Sequence, residues 1–329
     1  MNTIESKNVS NFFEQNGYVI EKPHCVGNNK DTVFISAGIQ PLLKKYRNML
    51  LPSDTKIFIP QPVIRSQYIN DLCEGTSLAF VNATSSIINN SEEEYISMVK
   101  DWYDFLCNVG LRKNEIITNS DYYVDKWGDI YLEGKRTFYY YNNVEIGDST
   151  FFTKVKCDNE NIPIESMCDL GFGLERIRWA VSQKSYYDLF SDSLMIPSKI
   201  KALLSAISLL SVNDIKPSNK NMGYRARLFS KKLVEFLEGR DLNKNEINYL
   251  KECIIYWRDW QSSFIGNIED ITKEYVRNGN RFLINRLSDL GYTNLPNIDI
   301  NLSREEFLNR LNSSGFNKEI VKKVGGVNL

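Results

Sequence analysis

The chain has 329 residues, of which 42% are hydrophobic and 25% charged, and its 40 basic side chains nearly balance 41 acidic ones. This composition excludes a mostly disordered or low-complexity chain, and the length predicts two domains. No apolar run approaches the ~20 residues of a membrane span, and no secretory leader is visible, so we expect a cytoplasmic protein without a membrane partner.

Helix and strand signals alternate in the first part of the chain. Two short β-prone runs, Lys56–Ile59 and Pro62–Arg65, precede a polar loop and a further strand that ends at Ala83. Ser91 followed three residues later by Glu94 forms a capping box, which predicts the start of a long helix.

A run rich in Tyr, Phe, Thr and Val follows over Tyr122–Thr153, and its period-two stretches are typical of antiparallel strands. A further strand ends at Gly173, where the next helix begins. From about Pro197 the apolar spacing is helical. We therefore predict an α+β fold, with a mixed domain over residues 1–195 and an all-helical domain over residues 196–329.

The near-neutral net charge hides an asymmetry between the two parts. Residues 200–329 hold 20 basic and 15 acidic side chains, which leaves 20 basic and 26 acidic side chains for residues 1–199. A basic helical half favours contact with a polyanion such as RNA. Statistical scatter would give the same balance.

Cysteine and histidine usage narrows the chemistry. The six cysteines show no Cys-x-x-Cys spacing, and His24 is the single histidine. Zinc sites and nucleophilic triads draw on these two residue types. We therefore expect no zinc, and a mechanism that relies on Arg, Asp, Glu and backbone groups.

One segment, Asp169-Leu170-Gly171-Phe172-Gly173-Leu174-Glu175-Arg176, combines two glycines with a charged pair at a predicted helix start. Glycines let the backbone approach a flat ligand closely. An arginine at a helix N-terminus needs an anionic partner, and a nucleotide would supply one. A strand-to-helix turn closed by a Glu–Arg ion pair would show the same pattern.

Two shorter segments add charged side chains. Arg65 ends a β-prone run, where its guanidinium could grip a phosphate or lie on the surface beside a hairpin. Glu145 and Asp148 lie three residues apart on a predicted strand and should point to opposite faces. They could hold Mg²⁺ together with ATP, or they could be ordinary strand-edge carboxylates.

These fragments and others resemble alanyl-tRNA synthetase, a class II aminoacyl-tRNA synthetase, in the right order over almost the whole chain. The segments that carry the resemblance are Phe34–Ile39, Arg65 with Asn70-Asp71-Leu72, Glu145-Ile146, Asp169–Ile177, Tyr187–Phe190, Pro217–Tyr224, and Phe307-Leu308 with Gly315-Phe316. The resemblance implies an antiparallel sheet of six or seven strands with flanking helices, followed by a helical tRNA-recognition domain.

By this resemblance, the protein is a ligase that activates a small amino acid, alanine first, with ATP and Mg²⁺ and transfers it to tRNA, with no DNA partner. Arg65 and Arg176 would be catalytic: Arg65 would grip the α-phosphate of ATP, and Arg176 would stack on adenine or hold the terminal phosphates. The other implied ATP contacts are Asn70, Asp71, Phe80, Gly173 and Glu145, the last also a weak Mg²⁺ ligand. The implied amino-acid contacts are Asp169, Gly171 and Trp127, and the implied tRNA contacts are Lys220, Arg225, Arg227 and Lys232.

The sequence also departs from the family pattern. Tyr68-Ile69 replace a Lys-His pair, the strand Leu78-Ala79-Phe80 lacks the Glu that contacts adenine, and Leu132–Thr137 stands where a Gly-Pro-Cys segment shapes the amino-acid pocket. Phe80 could then take the stacking role, and the chain stops where an editing domain would begin. Two alternatives stay open: a paralogue that makes an aminoacyl adenylate or amide without tRNA, and an inactive tRNA-binding protein.

Overall fold

The structure, a computed structural model, describes residues 4–27, 33–47, 54–127, 130–157, 164–184, 186–189, 196–261, 268–316 and 319–320. The chain divides into two compact units. The first unit contains the described residues of 1–65, 79–189 and 259–262, and the second contains those of 66–78, 190–258 and 263–329. Residues 66–78 and 259–262 therefore group differently from the two continuous domains that the sequence predicted.

A seven-stranded sheet forms the centre of the first unit within the described residues. Its order is β1-β2-β3-β7-β6-β5-β4, and each neighbouring pair is antiparallel except β1 and β2. The predicted α+β class is confirmed at this level. The strands are β1 Val19–Ile20, β2 Ile57–Ile64, β3 Ala79–Ile88, β4 Ile117–Trp127, β5 Ile130–Tyr141, β6 Val144–Cys157 and β7 Met167–Gly173.

Strand β2 is continuous although it contains Pro60 and Pro62, and the sequence had predicted two separate runs there. Proline is tolerated where its missing N–H faces no neighbouring strand. Strand β1 pairs with β2 only at Ile57 and Phe58, so both prolines lie beyond the part of β2 that pairs with β1. Pro60, Pro62 and Ile64 alternate along the strand, so the backbone nitrogens of all three face the same side. The Ile64 N–H on that side donates to the Ile35 carbonyl at 2.9 Å rather than to β3.

Two helices of the first unit pack on one face of the sheet, and a third packs on the opposite face. The first unit contains α1 Ser6–Gln15, α2 Ile39–Arg47, α3 Glu92–Asn108 and α4 Leu174–Ser182. Helix α3 starts with the predicted capping box. Phe13 of α1 stacks on Phe58 at 4.0 Å between ring centroids, and Trp102 of α3 stacks on Phe172 at 4.2 Å. A site on the sheet must therefore use the opposite face.

The second unit is helical, as the sequence predicted for this part of the chain. It contains α5 Ser198–Val212, α6 Asn221–Phe236, α8 Ile268–Asp289, α9 Arg304–Ser313 and most of α7 Lys244–Trp260. The segment between β2 and β3 also belongs to the second unit. Its Glu74 carboxylate accepts a hydrogen bond from Ser198 Oγ at 2.6 Å. No helix among the described residues is long and apolar enough to cross a membrane.

Candidate active site

The register of the strands brings the polar segments together on one sheet face. Thr84 of β3 pairs with Gly171 of β7, which pairs in turn with Asp148 of β6. In the next row of this face, Ser86 pairs with Asp169, and Asp169 pairs with Thr150. Cross-strand partners point to the same face. We call these two rows, Thr84–Gly171–Asp148 and Ser86–Asp169–Thr150, the acidic cleft.

Gly38 lets the start of helix α2 lie directly on this face. Its N–H donates to Asn82 Oδ1 at 2.7 Å, and a Cβ on Gly38 would lie 2.2 Å from Thr84 Oγ1. Any side chain at this position would therefore push α2 away from the sheet. The segment Phe34–Ile39, which the sequence singled out, thus forms one wall of the acidic cleft.

Asp148 and Asp169 are half-buried carboxylates that make no hydrogen bond or ion pair with any residue in the described part of the chain. Burial and the charge of Glu145 raise the pKa of Asp148 to about 6, against the opposing influence of Arg136 and Arg65. Burial raises the pKa of Asp169 well above its usual range, and the charge of Asp148 adds to the effect. The cleft is therefore short of positive charge.

Arg65 lies at the end of β2, on the same face as the acidic cleft. Its Nε donates to the Ser36 carbonyl at 3.2 Å, and its guanidinium lies 4.8 Å from the centroid of the Phe80 ring. Phe80 is only 3% exposed. The Arg65 guanidinium and the buried Phe80 ring therefore lie together on this face, and stacking of Phe80 on adenine stays a prediction.

The turn from β7 into α4 fixes Arg176. Gly173 precedes the helix, and a Cβ there would lie 3.5 Å from the Arg176 side chain, which therefore passes over the glycine. Arg176 Nη1 donates to the Glu145 carbonyl at 3.0 Å. Glu175 is fully buried and accepts the Val81 N–H. The predicted strand-to-helix turn is confirmed, and it directs Arg176 towards β6.

Trp127 lies near the Asp169 end of the acidic cleft. Its Nε1 donates to the Tyr123 hydroxyl at 3.2 Å, and its ring meets Phe152 edge-on at 5.5 Å. Both aromatic side chains join the apolar cluster that contains Met167, two residues before Asp169. This position is compatible with the amino-acid contact that the resemblance implied for Trp127.

Two charged residues on this face are not among the contacts that the resemblance implied. For Asp148 the sequence suggests only a Mg²⁺ site shared with Glu145, or an ordinary strand-edge carboxylate. Arg136 lies in the segment that departs from the family pattern, and its guanidinium lies 4.3 Å from the Tyr123 ring and 4.4 Å from the Phe138 ring. It also donates to both oxygens of Asp121, at 3.2 and 2.7 Å. Cross-strand partners like these are set by register, which the sequence pattern does not give.

The Mg²⁺ ligand and the ATP contacts in the loop after β2 stay predictions. No group of three or more His, Cys, Asp or Glu that could hold a metal occurs in the described residues. Mg²⁺ that arrives on ATP needs only one or two protein carboxylates, and Glu145 is the one that the resemblance implied. Asn70 and Asp71 are exposed and belong to the second unit. Their role in ATP binding remains to be tested.

The four predicted tRNA contacts differ in their surroundings. Lys220 and Arg225 are exposed. Arg227 donates to Asn219 and lies 4.0 Å from the Glu274 carboxylate of α8, with 16% of its side chain exposed. Lys232 lies 3.3 Å from the Glu235 carboxylate and 5.3 Å from the centroid of the Phe236 ring. Arg227 and Lys232 are therefore engaged within α6 and α8, and the contact of all four residues with tRNA stays a prediction.

A cluster of arginines that the sequence did not indicate lies beside Arg227. Arg277 and Arg281 of α8 share Glu274 with it, and Arg277 Nη1 donates to that carboxylate at 3.3 Å. Burial lowers the pKa of Arg281, and the charges of Arg227 and Arg277 lower it further. The Nε atoms of Arg227 and Arg277 are buried without a hydrogen-bond partner in the described residues. Positive charge is therefore in excess between α6 and α8.

A cavity of about 400 Å³ lies elsewhere in the second unit, between α5, α6 and α8. Its walls are mostly apolar, with Ser230, Glu274 and Tyr275 among the polar groups. Pro217, from one of the segments that carry the resemblance, contributes to the wall, but none of the site residues that the resemblance implied lines the cavity. The cavity therefore does not contribute to the functional assignment.

Comparison with known proteins adds no family assignment. No protein-family model matches the chain, and no curated protein matches it. The functional proposal therefore depends on the geometry of the acidic cleft and on the motif resemblance.

Proposed function

We propose that the protein activates an amino acid with ATP to form an aminoacyl adenylate. The observation that carries the proposal is the combination, on one face of an antiparallel sheet, of Arg65 and Arg176 with the carboxylates of the acidic cleft. This arrangement suits a substrate with an ammonium group at one end and a polyphosphate at the other.

The reaction needs placement and charge neutralisation more than acid–base chemistry. A carboxylate oxygen of the amino acid attacks the α-phosphorus, an O–P bond forms, and the bond to the bridging oxygen breaks as pyrophosphate leaves. Arg65 and Arg176 would balance the charge that develops on the phosphate oxygens. Asp169 would hold the ammonium group in a charge-assisted hydrogen bond. Mg²⁺ bound with ATP would add further positive charge on the phosphates.

The surroundings of Arg65 support a positioning role. The Ser36 carbonyl and the Phe80 ring hold the guanidinium from two sides. A side chain fixed in this way loses little rotamer freedom when it binds a phosphate. Effective catalysis by proximity depends on such pre-organisation.

We further propose tRNA as the acceptor. Exposed Lys220 and Arg225, together with the cluster of Arg227, Arg277 and Arg281, supply positive charge that a phosphate backbone would neutralise. A second candidate is adenylation without tRNA. The engagement of Arg227 and Lys232 by their own unit favours it, because these side chains are then less free for RNA.

Pyrophosphate exchange into ATP with a panel of amino acids tests the activation step. We expect exchange that depends on one amino acid or a small group of them, and no exchange with any amino acid would overturn the proposal. Charging of total tRNA by the same preparation separates the two acceptors. Efficient exchange without charging would leave the tRNA-independent reaction.

A further inference from the structure

The two carboxylates of the acidic cleft are close neighbours. Asp148 pairs with Gly171, and Asp169 lies two residues before Gly171 on the same strand. Their side chains are thus diagonal partners on one face, roughly 7–8 Å apart at the backbone. Gly171 between them contributes no side chain, and a Cβ there would lie 3.2 Å from Asn82 Nδ2, so a ligand between the two carboxylates would meet this amide.

A second, independent observation marks the Asp169 end as a polar ligand site. Ser86 is the direct cross-strand partner of Asp169 and is fully buried, and Tyr46 of α2 is 2% exposed. Burial, and to a lesser extent the charge of Asp169, raises the pKa of Tyr46, so the two side chains are near each other. The hydroxyls of Ser86 and Tyr46 interact only outside normal hydrogen-bond geometry, and no described residue satisfies either one. Buried polar groups are normally satisfied.

The charges around Asp148 decide what it can bind. Arg65, Arg136, Glu145 and Asp121 are the charged groups that influence it. Arg136 donates to Asp121 through two bonds and is already engaged. When ATP binds under the proposed function, Arg65 is drawn to phosphate, and Asp148 is left without a cation. An α-ammonium group on Asp169 balances only one of the two carboxylates.

We infer that the amino acid carries a second amino group, and that this group binds Asp148 while the α-ammonium binds Asp169. The inference rests on the proposed function and names its substrate class: short diamino acids, from diaminopropionate and diaminobutyrate to ornithine. The separation of the two backbone positions, roughly 7–8 Å, limits the length of the side chain that can join both carboxylates. The α-ammonium on Asp169 also gives the buried Ser86 hydroxyl, the cross-strand neighbour of Asp169, a donor.

The test compares matched substrates in pyrophosphate exchange. Alanine is paired with diaminopropionate, aminobutyrate with diaminobutyrate, and norvaline with ornithine, so each pair differs mainly by one amino group. We expect kcat/KM to be roughly tenfold or more higher for one diamino acid than for its neutral partner, because a desolvated ion pair is gained. Asp148→Asn should abolish this preference, so that the kcat/KM values within each pair become equal to within about twofold.

Glu93→Gln is the matched control, since it removes one negative charge from an exposed position on α3. It should leave the preference intact. Equal kcat/KM values within every pair, or a preference that survives Asp148→Asn, would overturn the inference while the proposed function stands. Loss of exchange with all amino acids in Asp148→Asn would also overturn it, because Asp148 would then serve ATP or Mg²⁺.

Absence of exchange with any amino acid would instead contradict the proposed function. Calorimetric titration of diaminobutyrate and aminobutyrate into the full-length protein then tests the carboxylate pair alone. Binding of diaminobutyrate that is lost in Asp148→Asn supports the inference. Equal binding of the two compounds, or binding of neither, overturns it.

Discussion

The Glu175 carboxylate accepts the Val81 backbone N–H through both oxygens, at 2.9 and 3.1 Å, from a position closed to solvent. This contact ties the start of α4 to β3, across the end of β7. It therefore holds Arg176, the next residue, relative to the strand that carries Thr84 and Ser86. A buried carboxylate here is structural, and its effect on the site is indirect.

Removal of this contact should destabilise the first unit. Glu175→Ala leaves the Val81 N–H buried without an acceptor, and we expect a loss of about 2–3 kcal/mol in the free energy of unfolding. Glu175→Gln keeps an acceptor oxygen and should lose less. Urea unfolding measures both, and an unchanged midpoint for Glu175→Ala would show that the N–H finds another partner.

The two arginines of the cleft should act in the transition state. Arg65→Ala and Arg176→Ala should each lower pyrophosphate exchange by roughly a hundredfold or more, since a developing phosphate charge loses its partner. Arg112→Ala is the control, because Arg112 is largely exposed on the surface. Exchange that survives in a folded Arg65→Ala protein would remove Arg65 from the mechanism.

Substitution of Asp169 should raise the KM for the amino acid more than the KM for ATP. Asp169→Asn keeps the shape but cannot form a charge-assisted pair with the ammonium group, so KM for the amino acid should rise steeply. Burial raises the pKa of Asp169, so its proton must leave before an ammonium ion can pair with it. Amino-acid affinity should therefore increase from acidic to neutral pH. Equal increases in the KM values for ATP and for the amino acid would indicate a structural role.

Asp148 should make stability depend on pH. Its pKa is about 6 in the folded protein, against about 3.9 for a free aspartate. The folded state therefore holds the proton more tightly, and stability falls as the pH rises from about 4 through about 6. Asp148→Asn should be up to about 2–3 kcal/mol more stable than the unmodified protein at pH 8. Thermal unfolding of both proteins at about pH 4 and at pH 8 tests this prediction. A stability difference between them that is the same at the two pH values would contradict it.

The arginine cluster of the second unit should govern any RNA binding. Replacing Arg277 and Arg281 with Ala should weaken tRNA binding and flatten its salt dependence, because fewer counterions are released. Lys251→Ala with Arg310→Ala removes the same charge from exposed positions on α7 and α9. An equal effect of both double variants would indicate diffuse attraction rather than a defined surface.

Local signals in the sequence predicted local structure well. The capping box at Ser91 and the turn at Gly173 are both present, because each depends on residues a few positions apart. Partners from distant parts of the chain were missed. The pairing of Asp148 with Gly171 follows from sheet register, and the contact between Arg227 and Glu274 follows from packing of α6 on α8. Neither leaves a trace in spacing or periodicity.

The division of the chain has a consequence for its dissection. A fragment of residues 1–195 would keep every strand of the sheet but lose Ser198, which binds Glu74, and Asp259, which accepts the Ser6 N–H. It would also separate Leu72 and Leu78, both buried, from the unit they pack in. We expect such a fragment to aggregate. Residues 1–195 and 196–329 each contribute to both units, so the proposed activation step should be studied in the chain of 329 residues.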